Sequence, residues 1–292
     1  MGVTAVDLPR MKAGGERITM VTAYDYPTGR LADAAGVDAV LVGDTLGMVV
    51  LGHATTIPVT MEAMLHHTAA VTRAVERALV VADMPFLSYQ VTVEEAMRNA
   101  ARLIQQGGAG AVKIEGGSAL APTVARIVGA GIPVMGHVGL TPQSVHQLGG
   151  FRLQAKTSAS AQRLIEDARA LEDAGAFAVV LELVPAPLAQ RVTELLSIPT
   201  IGIGAGSGCD GQIQVLHDLI GLVGEPETAH LPRHARRYAE IGVAIRQALA
   251  SYVADVRAGR FPEAANAFEG PPEVRRFVDQ DRARGQVVKL PA

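Results

Sequence analysis

Cysteine is almost missing from this 292-residue chain: Cys209 is the only one, so no intrachain disulfide can form and a thiolate zinc site is ruled out. That profile suits the reducing cell interior, and a cytoplasmic location is expected. Tryptophan is absent and only 4% of residues are aromatic, which leaves little material for a base-stacking surface. A large excess of either charge is missing too. A net charge of −3 and a pI near 6.2 give no basic footprint for nucleic acid or acidic membrane. No apolar run approaches the ~20 residues of a membrane span. The opening MGVTAVDLPRMKAGGER lacks the apolar core of a signal peptide and carries acids that a transit peptide avoids. Val6 stands where a myristoylation signal needs Ser or Thr.

What the chain does have is apolar content, 49% of residues with a mean hydropathy of +0.23, high enough for a sheet covered on both faces. Six apolar runs each end in an acidic or polar residue: VTAYD at Asp25, LVGDT at Asp44, VVADMP at Asp83, VKIEGG at Glu115, VMGHVG at His137 and VVLELVP at Glu182. Short, wholly apolar runs read as strands of a parallel sheet. They predict strands near 18–24, 38–43, 78–82, 111–114, 133–136, 178–183 and 199–203. An eighth falls near 213–221, where strand and helix are hard to separate. Amphipathic stretches at 27–36, 61–75, 93–106, 118–130, 158–174 and 187–196 separate them, and Gly36, Gly108, Gly131 and Gly175 stand at helix ends. Seven or eight strand–helix units fit a closed barrel better than an open doubly wound sheet, and such barrels need about 250 residues. In a closed barrel all the strand ends open into one mouth.

After residue 222 the pattern changes. Residues 233–257 read as one long helix stopped by Gly259 and Pro262, and a short helix is expected at 272–284. The expected organisation is a barrel domain at 1–268, including the long helix, and a peripheral tail at 269–292.

Asp44 and Asp83 each end a run and precede a chain-turning residue, Gly47 and Pro85. As hard oxygen ligands they suit Mg²⁺, which takes few protein carboxylates; the competing use is helix N-capping. Glu115, ending a third strand, strengthens the metal reading. Lys113 and Glu115 lie two apart, on one side of a strand. A Lys buried there needs a negative partner, either Glu115 or an anionic substrate, and a purely structural ion pair is the alternative. Glu182 sits late in the apolar FAVVLELVP; burial raises a carboxylate's pKa and suits a general base for C–H abstraction. His137 either binds substrate or anchors its loop. His66 and His67 are adjacent on a helix and share no face, so they read as surface or subunit-contact residues. GSGCDG at 206–211, with Glu227 downstream, matches the dinucleotide fingerprint formally but follows the seventh strand. A phosphate cup and close packing on a planar ligand are the rival readings.

Seven segments, TAYDY (22–26), VGDTLGM (42–48), ADMPF (82–86), VKIEGG (112–117), GHVGLTPQS (136–144), LELVP (181–185) and IGIGAG (201–206), resemble ketopantoate hydroxymethyltransferases in order and spacing, over residues 8–268. The resemblance implies an α/β fold, a (β/α)8 TIM barrel of the phosphoenolpyruvate/pyruvate superfamily type, here with a C-terminal helical extension. It implies transfer of a hydroxymethyl group from 5,10-methylenetetrahydrofolate, as co-substrate, to 3-methyl-2-oxobutanoate. The product is 2-dehydropantoate, formed by way of a Mg-stabilised enolate in pantothenate and coenzyme A biosynthesis. By the same resemblance Asp44 and Asp83 hold Mg²⁺, with Glu115 at or next to it. Thr45 and Lys113 bind the keto acid beside Asp44, Asp83 and His137, and Glu182 is the general base. A homodecamer is expected. Thr45 stands where the family usually has Ser, which keeps the hydroxyl, and residues 269–292 run past the usual family end. The alternatives are a Mg-dependent C–C lyase of the same superfamily and a non-catalytic assembly subunit. Lyases of the isocitrate-lyase type carry a loop cysteine that has no counterpart here, and the intact acidic set argues against loss of catalysis.

Overall fold

The computed structural model describes residues 2–222 and 231–284. These fall into two compact units, divided between Glu240 and Ile241. In the first, eight strands close into a parallel barrel in sequence order. They are β1 (Ile18–Thr22), β2 (Ala39–Val42), β3 (Leu79–Asp83), β4 (Ala111–Glu115), β5 (Val134–Gly139), β6 (Ala178–Glu182), β7 (Thr200–Ile203) and β8 (Gly211–Gln214). β8 completes the ring by pairing with both β7 and β1.

Side chains alternate across each strand, and here the alternation divides two cores. Facing outward under the helices are Val40 and Val42, Val80 and Ala82, Val112 and Ile114, and Val179 and Leu181. Facing inward are Ile18 and Met20, Ala39 and Leu41, Leu79 and Val81, then Ala111, Met135, Ala178 and Val180. The inner core also holds Ala5 and Leu8. Leu8, fully buried, belongs to a short helix, Asp7–Ala13, that closes the end of the barrel where the strands begin. That helix was not expected, because seven residues are too few to display a helical period.

Helices Tyr26–Ala34, Met61–Thr72, Val93–Gln105 and Ser158–Asp173 start where Asp25, Thr60, Thr92 and Thr157 accept a backbone N–H with their side chains. Helices Ala121–Gly129 and Ala186–Leu195 complete the outer layer up to β7. The strand–helix alternation then breaks: residues 204–210 join β7 to β8 without a helix. The segment lies flat on helix Ala186–Leu195, where a Cβ on Gly206 would come 2.5 Å from the Ala186 Cβ and one on Gly208 2.7 Å from the Gln190 Cβ. Gly206 and Gly208 therefore allow close packing against the chain's own helix, and no helix opens on the segment as a dinucleotide turn requires. Glu227, the acidic residue of the formal fingerprint, lies outside the described residues. The ambiguous stretch at 213–221 resolves into the end of β8 followed by a helix, Leu216–Ile220.

In the second unit the long helix spans Ile241–Arg257 and the short one Pro272–Ala283. The long helix begins eight residues later than the periodicity predicts. The Tyr238 N–H, which a longer helix would use internally, donates instead to Leu219 O at 2.7 Å. No helix of the described residues is long and apolar enough to cross a membrane.

Candidate functional site

In β3, β4, β5 and β6 the inward row begins apolar and then becomes charged. Asp83 stands two residues beyond Val81, Lys113 and Glu115 two and four beyond Ala111, His137 two beyond Met135, and Glu182 two beyond Val180. The parity that fills the barrel with hydrocarbon thus delivers all of these residues to its mouth. With Asp44 and Thr45, which follow β2, they line one pocket, together with Thr22, Pro142 and Gln214. Every residue that the sequence nominates for the site is therefore brought together. Asp25 is not among them; it is exposed and caps helix Tyr26–Ala34. His66 is exposed, and His67 Nδ1 lies 2.6 Å from Tyr24 O, away from the pocket.

Asp44, Asp83, Lys113, Glu115 and His137 are all buried. Neither aspartate caps a helix. Asp83 Oδ2 accepts from the Asp44 backbone N–H at 3.0 Å, and Asp83 Oδ1 lies 3.0 Å from Lys113 Nζ. Glu115 Oε1 is farther from Lys113, at 3.7 Å. The nearer partner of Lys113 is thus Asp83, its register neighbour on the next strand, in place of the same-strand Glu115. His137 Nδ1 sits 3.1 Å from Lys113 Nζ and 3.5 Å from Glu115 Oε1, while Nε2 faces Glu182 Oε2 at 3.2 Å. Glu182 is more open than its apolar surroundings in sequence suggest, with 15% of its side chain accessible. Two features hold it in place. Leu183 adopts a left-handed φ of 44° directly after it. Gly139, at φ 97°, lets β5 approach so closely that a Cβ there would lie 2.3 Å from Glu182 O.

Burial, and then the charges of Glu115 and Asp83, hold the Asp44 carboxyl well above the ordinary carboxylate range. Burial also raises Asp83, though Lys113 opposes it. For Glu115, burial is outweighed by the His137 hydrogen bond and by Lys113, and its pKa falls. Burial works against the Lys113 ammonium, but Asp83, Glu115 and Asp44 together raise its pKa. Burial and Lys113 disfavour the His137 imidazolium, yet Glu115 and Glu182 prevail and bring it to about 9. A pH dependence follows. A histidine raised from 6.5 to about 9 contributes stability that is complete below pH 6.5 and lost as the pH climbs through 9. Unfolding free energy measured by denaturant titration across that window should decline in the wild type and decline less in His137→Gln. Identical slopes would remove His137 as the source.

Four carboxylates, Asp44, Asp83, Glu115 and Glu182, face one lysine and one histidine in this pocket, so ionised it holds more negative than positive charge. Asp83 Oδ1 and His137 Nε2 have charged neighbours but no aligned hydrogen bond, and the buried Tyr24 hydroxyl has none either. Among the described residues no three acidic, histidine or cysteine side chains form a ready-made metal cage. A site for a cation that takes one or two carboxylates and fills its other positions with substrate and water has this donor set. Around it stand a cation able to receive an anionic substrate, Lys113, and a partly accessible carboxylate able to take a proton, Glu182.

Two buried residues that the sequence reading did not single out also reach this cluster. Gln143, in the turn Pro142–Ser144 after β5, donates from Nε2 to Asp44 Oδ2 at 2.8 Å. The Tyr89 hydroxyl contacts the backbone of Glu115. Gln143 lies within GHVGLTPQS, but an amide in a turn has no periodicity to mark it.

A family model described as ketopantoate hydroxymethyltransferase matches residues 2–264. Among curated proteins, 3-methyl-2-oxobutanoate hydroxymethyltransferase of Moorella thermoacetica is 58% identical over 267 residues, covering 91% of this chain and 98% of that protein. The protein of the same name from Chloroflexus aurantiacus (strain ATCC 29366 / DSM 635 / J-10-fl) is 57% identical over 262 residues, covering 90% and 91%. Among solved structures, phosphonopyruvate hydrolase superposes with a TM-score of 0.59 at 14% identity, covering 98% of this chain and 100% of that one. 2,3-Dimethylmalate lyase, a PEP mutase/isocitrate lyase superfamily member, gives 0.55 at 19%, covering 98% of each. At these identities the structural likeness speaks for the fold alone.

Proposed function

The chain belongs to the ketopantoate hydroxymethyltransferase family, and from that membership we propose the chemistry of its pocket. The enzyme transfers a hydroxymethyl group to 3-methyl-2-oxobutanoate, a transferase step of pantothenate biosynthesis. 5,10-Methylenetetrahydrofolate is the one-carbon donor and 2-dehydropantoate the product. The observation that carries the residue roles is the convergence, in one pocket, of a buried lysine, a surplus of carboxylates and the more open Glu182.

Asp44 and Asp83 would hold Mg²⁺, with Glu115 at or next to it, and the chemistry such an ion supplies is Lewis-acid polarisation of the keto acid's oxygens. Lys113 receives the substrate carboxylate, and Thr45, half-buried at the pocket wall, offers its hydroxyl. Glu182 removes the proton from C3, the carbon next to the ketone. His137, 3.2 Å from Glu182 Oε2, places a positive or polar group beside that carboxylate and assists substrate binding. Water releases the one-carbon unit from the folate as formaldehyde, breaking its bonds to N5 and N10 and leaving tetrahydrofolate. The carbanionic C3 then adds to the formaldehyde carbon, and the resulting alkoxide takes up a proton to become the hydroxymethyl group. Assembly as a homodecamer and a cytoplasmic location belong to the same proposal, resting on the family resemblance and on the single cysteine.

The test is formation of 2-dehydropantoate from the two substrates. Product should appear with Mg²⁺, stop with EDTA and return when Mg²⁺ is restored. Turnover that ignores EDTA would remove the metal from this account.

A further inference from the structure

Gln143 makes more side-chain hydrogen bonds than a loop glutamine needs, and all of them lead to the site. It is only 3% exposed. Its Nε2 donates to Asp44 Oδ2 at 2.8 Å and to Met84 O at 2.9 Å. Its Oε1 accepts from the Tyr89 hydroxyl at 2.7 Å and from Gln90 Nε2 at 3.4 Å. Its backbone N–H donates to Glu115 Oε2 at 3.0 Å. One residue thus joins the segments that follow β2, β3 and β5 to the end of β4.

The sense of the amide is fixed by its partners. Met84 O can only accept, so the nitrogen must face it and the oxygen must face Tyr89. The Tyr89 hydroxyl accepts from the Glu115 N–H at 3.2 Å, and its one proton has two acceptors in reach, Gln143 Oε1 at 2.7 Å and Glu115 O at 3.0 Å, of which Gln143 is the nearer. A rotated amide would set oxygen against Met84 O and the Asp44 carboxylate and leave buried donors and acceptors unmatched, a costly arrangement.

We propose that Gln143, oriented by Tyr89, is the positioning residue for the cation-binding carboxylates, holding the Asp44 carboxylate in its ligating orientation and tethering Glu115 beside it. The proposal rests on the metal-dependent reading of the pocket. Hydrogen-bond partners behind a metal ligand typically contribute about 10–100-fold to metal affinity.

The experiment measures Mn²⁺ binding to the full-length protein, without substrates, by the paramagnetic resonance signal of the free ion. Gln143→Leu retains most of the volume and removes both ends of the amide. Its Mn²⁺ dissociation constant should rise about 10–100-fold. Its kcat should return towards the wild-type value at saturating Mn²⁺, so that the loss appears in the metal requirement. Tyr89→Phe keeps the donor to Asp44 but releases the amide, and a smaller rise is expected. Wild-type affinity in Gln143→Leu overturns the proposal. So does a loss of kcat that saturating metal does not recover, which would mean a merely structural role. If Gln143→Leu does not fold, Tyr89→Phe decides: unchanged affinity overturns the proposal. A wild-type control that binds no Mn²⁺ overturns the metal reading as well, whereas normal wild-type binding with unaffected variants overturns this proposal alone.

Discussion

Glu182→Gln should exchange the C3 proton of 3-methyl-2-oxobutanoate with solvent deuterium about 10²–10⁴-fold more slowly than the wild type, the span a positioned general base contributes. Binding of the keto acid should change little. The amide occupies the same space and still presents an oxygen to His137 Nε2, now 3.2 Å from Glu182 Oε2. The residues proposed to grip the acid stand elsewhere, Asp83 and Lys113 on β3 and β4 and Asp44 just after β2. The exchange is followed by proton NMR without the folate donor, so the measurement isolates enolisation from carbon–carbon bond formation. Wild-type exchange would end the assignment of Glu182 as base. A comparable loss of keto-acid binding would instead make it a binding residue.

The second large effect falls on stability. Lys113 is 4% exposed, with Asp83 3.0 Å and Glu115 3.7 Å from its ammonium. Removing one partner of a buried pair costs about 3–5 kcal/mol, because the remaining charges have neither water nor counter-ion. Lys113→Met, which keeps most of the aliphatic stem, should lose about that much in metal-free protein at neutral pH, and should lose catalysis as well. The deficit should depend on pH. Without the ammonium, Asp83, already raised by burial, rises further, and Glu115 loses one of the groups that lower it. A carboxylate raised in this way contributes most below its unfolded pKa and loses that contribution as the pH rises. The variant should therefore approach the wild type in mild acid and fall away towards alkaline pH. Denaturant titrations across that range measure it, and a deficit that is the same at every pH would mean that packing, not charge, is what the lysine supplies.

Much of this site is legible in the sequence because its strands are buried on both faces. Runs such as LVVAD and AVVLE, at β3 and β6, admit a charged residue only at the end, so position along the run gives position in the barrel. Asp25 shows where the rule stops. It ends a run as Asp44 does, but the helix Tyr26–Ala34 starts on the next residue and takes its side chain as a cap, while the turn after Asp44 leaves that carboxylate buried. β8 is harder to see, since GQIQ is four residues with two glutamines, and Gln212 is exposed. The partner of Lys113 depends on the register between β3 and β4, which no single-strand pattern contains. Gln143 depends on four segments meeting, and nothing local announces that.

Leu8, sunk among the inward side chains at the far end of the barrel, gives the site a floor. A barrel stopped at that end leaves its mouth as the approach to the proposed site. In the proposed arrangement the small keto acid occupies the depth beside Lys113 and Asp83, and the larger folate closes over it. Loading that is last in, first out is then expected: the acid would enter before the donor, and the product would leave after the spent carrier.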